Sequence, residues 1–135
     1  MKKLYSLAVV FCLALMGFVF SSCENQSTSS YLFGYELSDS NTVDESTLMQ
    51  FELSQDGAIV IYNEMKKTAD QSSDASRTCI WKDTRENAIK SAKSAFAAGM
   101  EAVRKDAASF KGIIISLYYH DPDTNKKVEV EKATI

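Results

Sequence analysis

The sequence has few of the residues from which catalytic and metal sites are built. Its 135 residues include one histidine and three cysteines. A hydrolytic metal centre usually takes several histidines or a pair of cysteines, so the composition disfavours one. The chain also lacks the glycine-rich turn that carries a catalytic nucleophile in many hydrolases. An enzyme is therefore not the expected function.

The N-terminus has the layout of a secretory signal. Met1-Lys2-Lys3 is basic, and the seventeen residues from Leu4 to Phe20 carry no charge. A basic start, an apolar stretch and then small residues are typical of a signal peptide. A transmembrane helix is the alternative, but this stretch lies at the short end of the length needed to span a bilayer. We therefore interpret residues 1–22 as a signal peptide.

The signal ends in Phe20-Ser21-Ser22-Cys23, which resembles the lipobox of bacterial lipoproteins, although Phe20 stands where Leu is usual. The resemblance implies cleavage before Cys23 and attachment of lipid, including palmitate, to its thiol. Together with the Met-Lys-Lys start, it is similar to the small lipoproteins of Bacteroidota. This implies a lipid anchor in the bacterial outer membrane. Surface-exported members carry an acidic cluster after the cysteine; here only Glu24 is present, so we expect the domain to face the periplasm.

The remaining chain suffices for one domain. Residues 23–30 are interpreted as the lipidated cysteine and a flexible tether, which reaches at most about 25 Å. Residues 31–135 are interpreted as a single domain. Cys12 leaves with the signal and Cys23 carries lipid, so Cys79 has no disulfide partner. The core must therefore be held by packing alone.

Charge is spread unevenly along the chain. Residues 24–75 carry ten acidic side chains and two lysines, whereas residues 76–135 carry eight acidic and eleven basic side chains. Without the signal the net charge is about −5, which disfavours nucleic acid as a partner.

Local patterns predict an α+β domain. Alternation of apolar and polar residues predicts strands near 31–38, 77–82, 112–120 and 126–133. Asp83 and Glu86 have capping-box spacing, and small apolar residues at helical spacing follow them, which predicts a helix near 84–109. We expect a small antiparallel-rich sheet packed on two helices. The polar residues 71–76 are expected to form a loop.

Segment 42–70 has two interpretations. Thr42 and Glu45 have capping-box spacing, and apolar residues then follow one helical face, which predicts the other helix near 43–69. Alternatively, Asp56-Gly57 is a favoured two-residue turn and would make 47–64 a β-hairpin. We prefer the helix because its cap, end charges and length agree. The lipoprotein resemblance implies the same: there, an apolar residue precedes a glutamate within a helix, here Phe51-Glu52.

Two clusters carry weak chemical signals. Asp121, Asp123 and Asn125 match the first three oxygen positions of a calcium loop, but lysines stand where the loop requires Gly and a bidentate Glu. We expect a hairpin turn there, with no metal or cofactor. Cys79 and His120 are the only thiol–imidazole pair for nucleophilic catalysis, and neither lies in a recognisable motif. We therefore predict no catalytic residues.

The strand 112–120 suggests a surface instead. Its alternation places Ile113, Ile115, Leu117 and Tyr119 on one face and Ile114, Ser116, Tyr118 and His120 on the other. Two helices are available to cover the first face. We expect the second to be a partly exposed docking surface for an envelope protein or a glycan; its central residues are Leu32, Ile114, Tyr118 and His120.

The predicted function is therefore a membrane-anchored, non-enzymatic interaction or structural module of the cell envelope. A periplasmic small-ligand-binding lipoprotein is the alternative, and a small hydrolase is the least favoured reading.

The anchor prediction is tested by intact-mass analysis of protein extracted from membranes. We expect the mature chain to begin at a lipidated Cys23 and to fractionate with the outer membrane. An unmodified Cys23 with residues 1–22 still attached would contradict the lipoprotein interpretation.

Overall fold

The computed structural model describes residues 27–38, 40–106 and 108–135. Residues 30–82 and 86–135 form one compact unit. The predicted signal peptide and Cys23 lie outside the described residues. Among the helices described, none combines the length and the apolar character needed to cross a membrane.

The described strands are β1 (Ser29–Leu37), β2 (Gln71–Ser73), β3 (Thr78–Asp83), β4 (Ile114–His120) and β5 (Lys127–Thr134). They form a five-stranded antiparallel sheet with the order β2-β3-β1-β4-β5. Strand β1, the first in the sequence, therefore lies in the centre, between β3 and β4. The α+β class and the four predicted strands are confirmed. The short polar strand β2 replaces part of the loop expected at 71–76.

The helices are α1 (Glu45–Leu53), α2 (Ala58–Lys66) and α3 (Arg85–Asp106), followed by a 3-10 turn (Ala108–Phe110). The helical interpretation of segment 42–70 is confirmed, and the hairpin alternative is wrong. The segment nevertheless differs from the single helix predicted near 43–69, because it forms two helices with a break between them.

The break between the two helices depends on a glycine at position 57. Ser54 ends α1 in an extended conformation, and its N–H donates to the Gln50 carbonyl at 2.8 Å. A Cβ at Gly57 would lie only 2.1 Å from the Phe51 carbonyl oxygen. Only glycine fits this close approach. Asp56-Gly57 is thus a true turn signal, but it joins two helices rather than two strands.

Helix α1 begins on a side-chain cap that differs from the predicted one. The Thr47 N–H donates to Asp44 Oδ1 at 2.8 Å, so Asp44, not Thr42, is the N-cap residue. An aspartate at this position satisfies an otherwise unpaired helical N–H and complements the helix dipole.

The core lies between the helices and one face of the sheet. Tyr35 of β1 donates a hydrogen bond to the Ala58 carbonyl at the start of α2, 2.7 Å away. Lys93 of α3 forms an ion pair with Glu131 of β5 at 3.5 Å. Burying each large apolar side chain contributes about 1.5–3 kcal/mol. The side chains at most 1% exposed include Phe33, Phe51, Ile61, Met65, Phe96, Met100, Ile113, Ile115 and Leu117.

Helix α3 crosses α2 at very short range. Ala88 and Ala92 are fully buried, and a Cβ at Gly99 would lie 2.8 Å from Ile61 Cα and 3.2 Å from the Ile61 carbonyl oxygen. The small residues therefore serve packing, because they let the two backbones approach.

Replacing Gly99 with alanine tests this crossing. In an exposed helix the change would stabilise by about 1 kcal/mol. Here the added methyl group meets the Ile61 backbone, so we expect Gly99→Ala to lower the free energy of unfolding by about 1–3 kcal/mol. Urea denaturation measures it, and Ser94→Ala, at an exposed position of α3, is the control that should not destabilise. Equal or greater stability of Gly99→Ala would contradict the close crossing.

Candidate functional site

The candidate site is the face of the sheet that points away from the helices, here called the open face. Directly opposite residues of paired strands share a face. Leu32 lies opposite His120, and Gly34 lies opposite Tyr118. Ile114 joins them by alternation along β4. All four predicted docking residues therefore lie on this face: Leu32, Ile114 and Tyr118 are partly exposed and His120 is exposed.

Tyr118 lies at the centre of the open face. Its ring crosses the neighbouring strand over Gly34, where a Cβ would lie 2.7 Å from Tyr118 Oη and 2.9 Å from Cζ. The His120 ring meets it edge-on, with ring centroids 5.8 Å apart. The Lys127 Nζ lies 4.8 Å from the Tyr118 ring centroid. The ring is therefore held in place by a glycine, an aromatic edge and a cation.

An ion pair fixes the cation on this ring. Lys127 Nζ donates to Glu36 Oε1 at 2.5 Å and to Oε2 at 2.9 Å. The pair links β5 to β1 across β4. Both side chains are about half exposed, so the pair contributes little stability but orients the lysine.

Polar side chains surround a shallow groove beside Tyr118, with a volume of about 260 Å³. The hydroxyl groups there can donate or accept hydrogen bonds, the carboxylates accept them and the ammonium groups donate them. The groove therefore suits a polar partner. The lining includes Glu36, Ser38, Ser40, Ser116, Tyr118, Lys127, Glu129 and Lys132.

Sequence reasoning missed the polar half of this site. Glu36, Glu129 and Lys132 are ordinary surface charges in the sequence. Alternation along β1 and β5 assigns such residues to faces, but only the strand register brings Glu36 next to Lys127, 91 positions away.

Cys79 and His120 are not brought together. Thr78 shares the open face, since its Cγ2 lies 3.4 Å from the position of a Cβ at Gly34. The next residue, Cys79, therefore points into the core, where it is fully buried. Burial raises the pKa of its thiol to about 11. His120 lies exposed on the opposite face.

The segment with the calcium-loop pattern is a hairpin turn between β4 and β5. The Asp123 N–H donates to Asp121 Oδ1 at 2.9 Å, and the Asn125 N–H donates to the Asp121 carbonyl at 2.7 Å. Asn125 takes a positive φ of 58°, which asparagine tolerates. Across the described residues, no three His, Cys, Asp or Glu side chains converge into a group that could hold a metal ion.

A second polar cluster joins α2 to the turn between β2 and β3. Tyr62 Oη donates to Asp74 Oδ1 at 2.5 Å, and Lys66 Nζ donates to the same oxygen at 3.0 Å. These two hydrogen bonds hold the pKa of Asp74 below its usual value, whereas burial raises the pKa of Tyr62. The groups satisfy one another, so the cluster acts as a structural tie.

Comparison with known proteins gave no match among family models, curated sequences or solved structures.

The buried state of Cys79 has a measurable consequence. The thiolate is the reactive form, and a pKa of about 11 instead of 9.0 makes it about 100-fold scarcer near neutral pH. We expect iodoacetamide to modify the Cys79 peptide at least about 100-fold more slowly in the native protein than in urea, as followed by mass spectrometry. Comparable rates in both states would show an accessible, activated thiol instead.

Proposed function

We propose that this protein is a lipid-anchored lipoprotein of the bacterial outer membrane. Its domain acts as a non-enzymatic interaction module of the cell envelope, and the open face of the sheet is its contact surface. The lipobox-like Phe20-Ser21-Ser22-Cys23 supports the anchor. A tether of only a few residues would keep the domain close to the periplasmic side of the membrane.

The observation that carries the proposal is the setting of Tyr118. A tyrosine tolerates water when free and supplies a large contact area when bound. Its ring is already held over Gly34 by its neighbours, so little side-chain freedom remains to be lost on binding. Ordered, partly exposed aromatic residues are typical anchors of binding surfaces.

The surrounding residues favour a polar or mixed partner. Leu32 and Ile114 provide apolar contact, whereas Lys127, Glu36 and Lys132 provide charged and hydrogen-bonding groups around it. An apolar centre with a polar rim is the usual anatomy of a protein interface, and a tyrosine beside hydrogen-bonding groups also suits a glycan. An envelope protein or a glycan is the proposed partner.

The groove beside Tyr118 bears on the second candidate function, a periplasmic small-ligand-binding lipoprotein. Sites for small molecules usually have volumes of about 300–1,000 Å³ and enclose most of the ligand. The groove, at about 260 Å³, is shallow and bordered by paired charges. It fits a side chain or a sugar unit of a larger partner better than an enclosed ligand.

Truncation of Tyr118 tests the contact surface. We expect Tyr118→Ala to weaken partner capture by about 1–3 kcal/mol, or about 5- to 150-fold in affinity. Its stability should fall by less than about 1 kcal/mol, since only cross-strand contacts are lost. The measurements are quantitative cross-linking and pull-down from intact cells, with thermal melting of the same variant.

Leu53→Ala is the matched control. Leu53 is an apolar side chain that is 74% exposed on α1, away from the open face. It should change neither capture nor melting. Unchanged capture by Tyr118→Ala would exclude Tyr118 as an anchor, and unfolding of that variant would assign the residue to the core instead.

A further inference from the structure

Strand β5 (Lys127–Thr134) is the outermost strand of the described sheet on its side. An edge strand presents backbone N–H and C=O groups that can pair with another strand. Its eight residues are long enough to support such pairing.

Backbone hydrogen bonds at both ends of β5 identify the outward-pointing groups. At one end, Ile135 N–H donates to the Ile113 carbonyl at 2.9 Å, so Ile135 points towards β4. Because these backbone groups alternate in direction along a strand, the N–H and C=O groups of Thr134 and Lys132 point outward, away from β4. At the other end, the Lys126 carbonyl accepts the Asp121 N–H at 2.9 Å, which turns Lys127 and Glu129 outward.

A bulge changes the spacing of these outward residues. Leu117 lies opposite Glu131, but the next residue, Tyr118, lies opposite Glu129, which leaves Val130 as an extra residue. The outward residues therefore fall at 127, 129, 132 and 134. Their side chains also share the open face, since they lie opposite His120, Tyr118, Ser116 and Ile114. These four positions are therefore symmetric about the point midway between residues 130 and 131.

We propose that β5 pairs antiparallel with β5 of a second copy of this chain, about a twofold axis between Val130 and Glu131. Glu129 then lies opposite Lys132 of the second copy, and the twofold axis repeats this pair. The outward N–H and C=O groups of these residues face one another. Opposite charges at directly opposed positions stabilise strand pairing.

The bulge selects this register. A shift by one residue would place the open-face side chains of one copy opposite helix-side residues of the other, and outward groups would meet inward ones. Within the single chain Lys132 and Glu129 form an ion pair with each other, but it is long, with Nζ 3.9 Å from Oε1, and the two side chains are 47% and 53% exposed. Exposed pairs of this kind contribute little, so either side chain can exchange its partner for one on the second copy.

One end of the edge is already occupied. Arg104 of α3 donates from Nη2 to the Thr134 carbonyl at 2.7 Å and from Nε at 3.3 Å. Because Arg104 takes the Thr134 carbonyl, that residue is not counted on to pair with Lys127 of the second copy. The proposed pairing therefore depends on Glu129 and Lys132. Both residues also line the groove beside Tyr118, so a second copy would extend that groove with its own charged side chains. This inference does not depend on the proposed function.

Charge exchange tests the register on the full chain extracted in mild detergent. Glu129→Lys alone, or Lys132→Glu alone, places two like-charge pairs at the twofold contact. We expect each variant to raise the dimer dissociation constant about tenfold in sedimentation experiments. The double variant Glu129→Lys with Lys132→Glu should restore the wild-type value. The matched control is Lys90→Glu, which reverses an exposed charge on α3, away from the edge strand β5. This variant should dimerise as the wild type does.

Directed disulfide formation supplies an independent readout. Chains carrying Glu129→Cys, co-produced with differently tagged chains carrying Lys132→Cys, should cross-link to each other. Each cysteine variant produced alone should not cross-link above the wild-type level. A monomeric wild-type protein at tens of micromolar, failure of the double variant to restore dimers, or stronger cross-linking of Glu129→Cys with itself would each overturn the proposal.

Discussion

The domain depends on the burial of a single face of its sheet beneath α2 and α3. The side chains that meet there, such as Phe33 and Leu117 from the sheet and Phe96 and Met100 from α3, are at most 1% exposed. Among the described residues no disulfide shares this task, since Cys79 is free there. Close packing therefore carries much of this task, and even a methyl group is excluded where Gly99 meets Ile61.

The same one-sided arrangement leaves the open face to interact with solvent or partners. In the described part of the chain no helix covers it, so its residues are mostly polar, as alternation in an antiparallel sheet requires. Tyr118 departs from that rule. Its ring fills the space above Gly34, where the sheet has no side chain, and Lys127 and His120 complete its surroundings. A surface ordered in this way is prepared for contact, because its central side chain has already lost most of its freedom.

The two edges of the sheet differ in their capacity to pair. Strand β2 has three polar residues, and its neighbouring turn is tied to α2 through Asp74. Strand β5 is long and alternating, and its bulge at Val130 gives it a spacing that matches itself in the antiparallel direction. A bulge usually discourages pairing at an edge. Here it also limits the registers in which a second β5 could fit.

Local chemistry was enough to predict the α+β class, the four longer strands, helix α3 and the two faces of β4, because alternation and helical spacing depend only on neighbouring residues. The short strand β2 was not predicted. The membrane anchor stays a prediction from the first 23 residues. Tertiary structure decided what local patterns left open. Asp56-Gly57 fits a hairpin or a helix break, and the approach of Gly57 to the Phe51 carbonyl selects the break. The register that sets Tyr118 over Gly34 joins residues far apart in sequence, so only the folded sheet creates the candidate site.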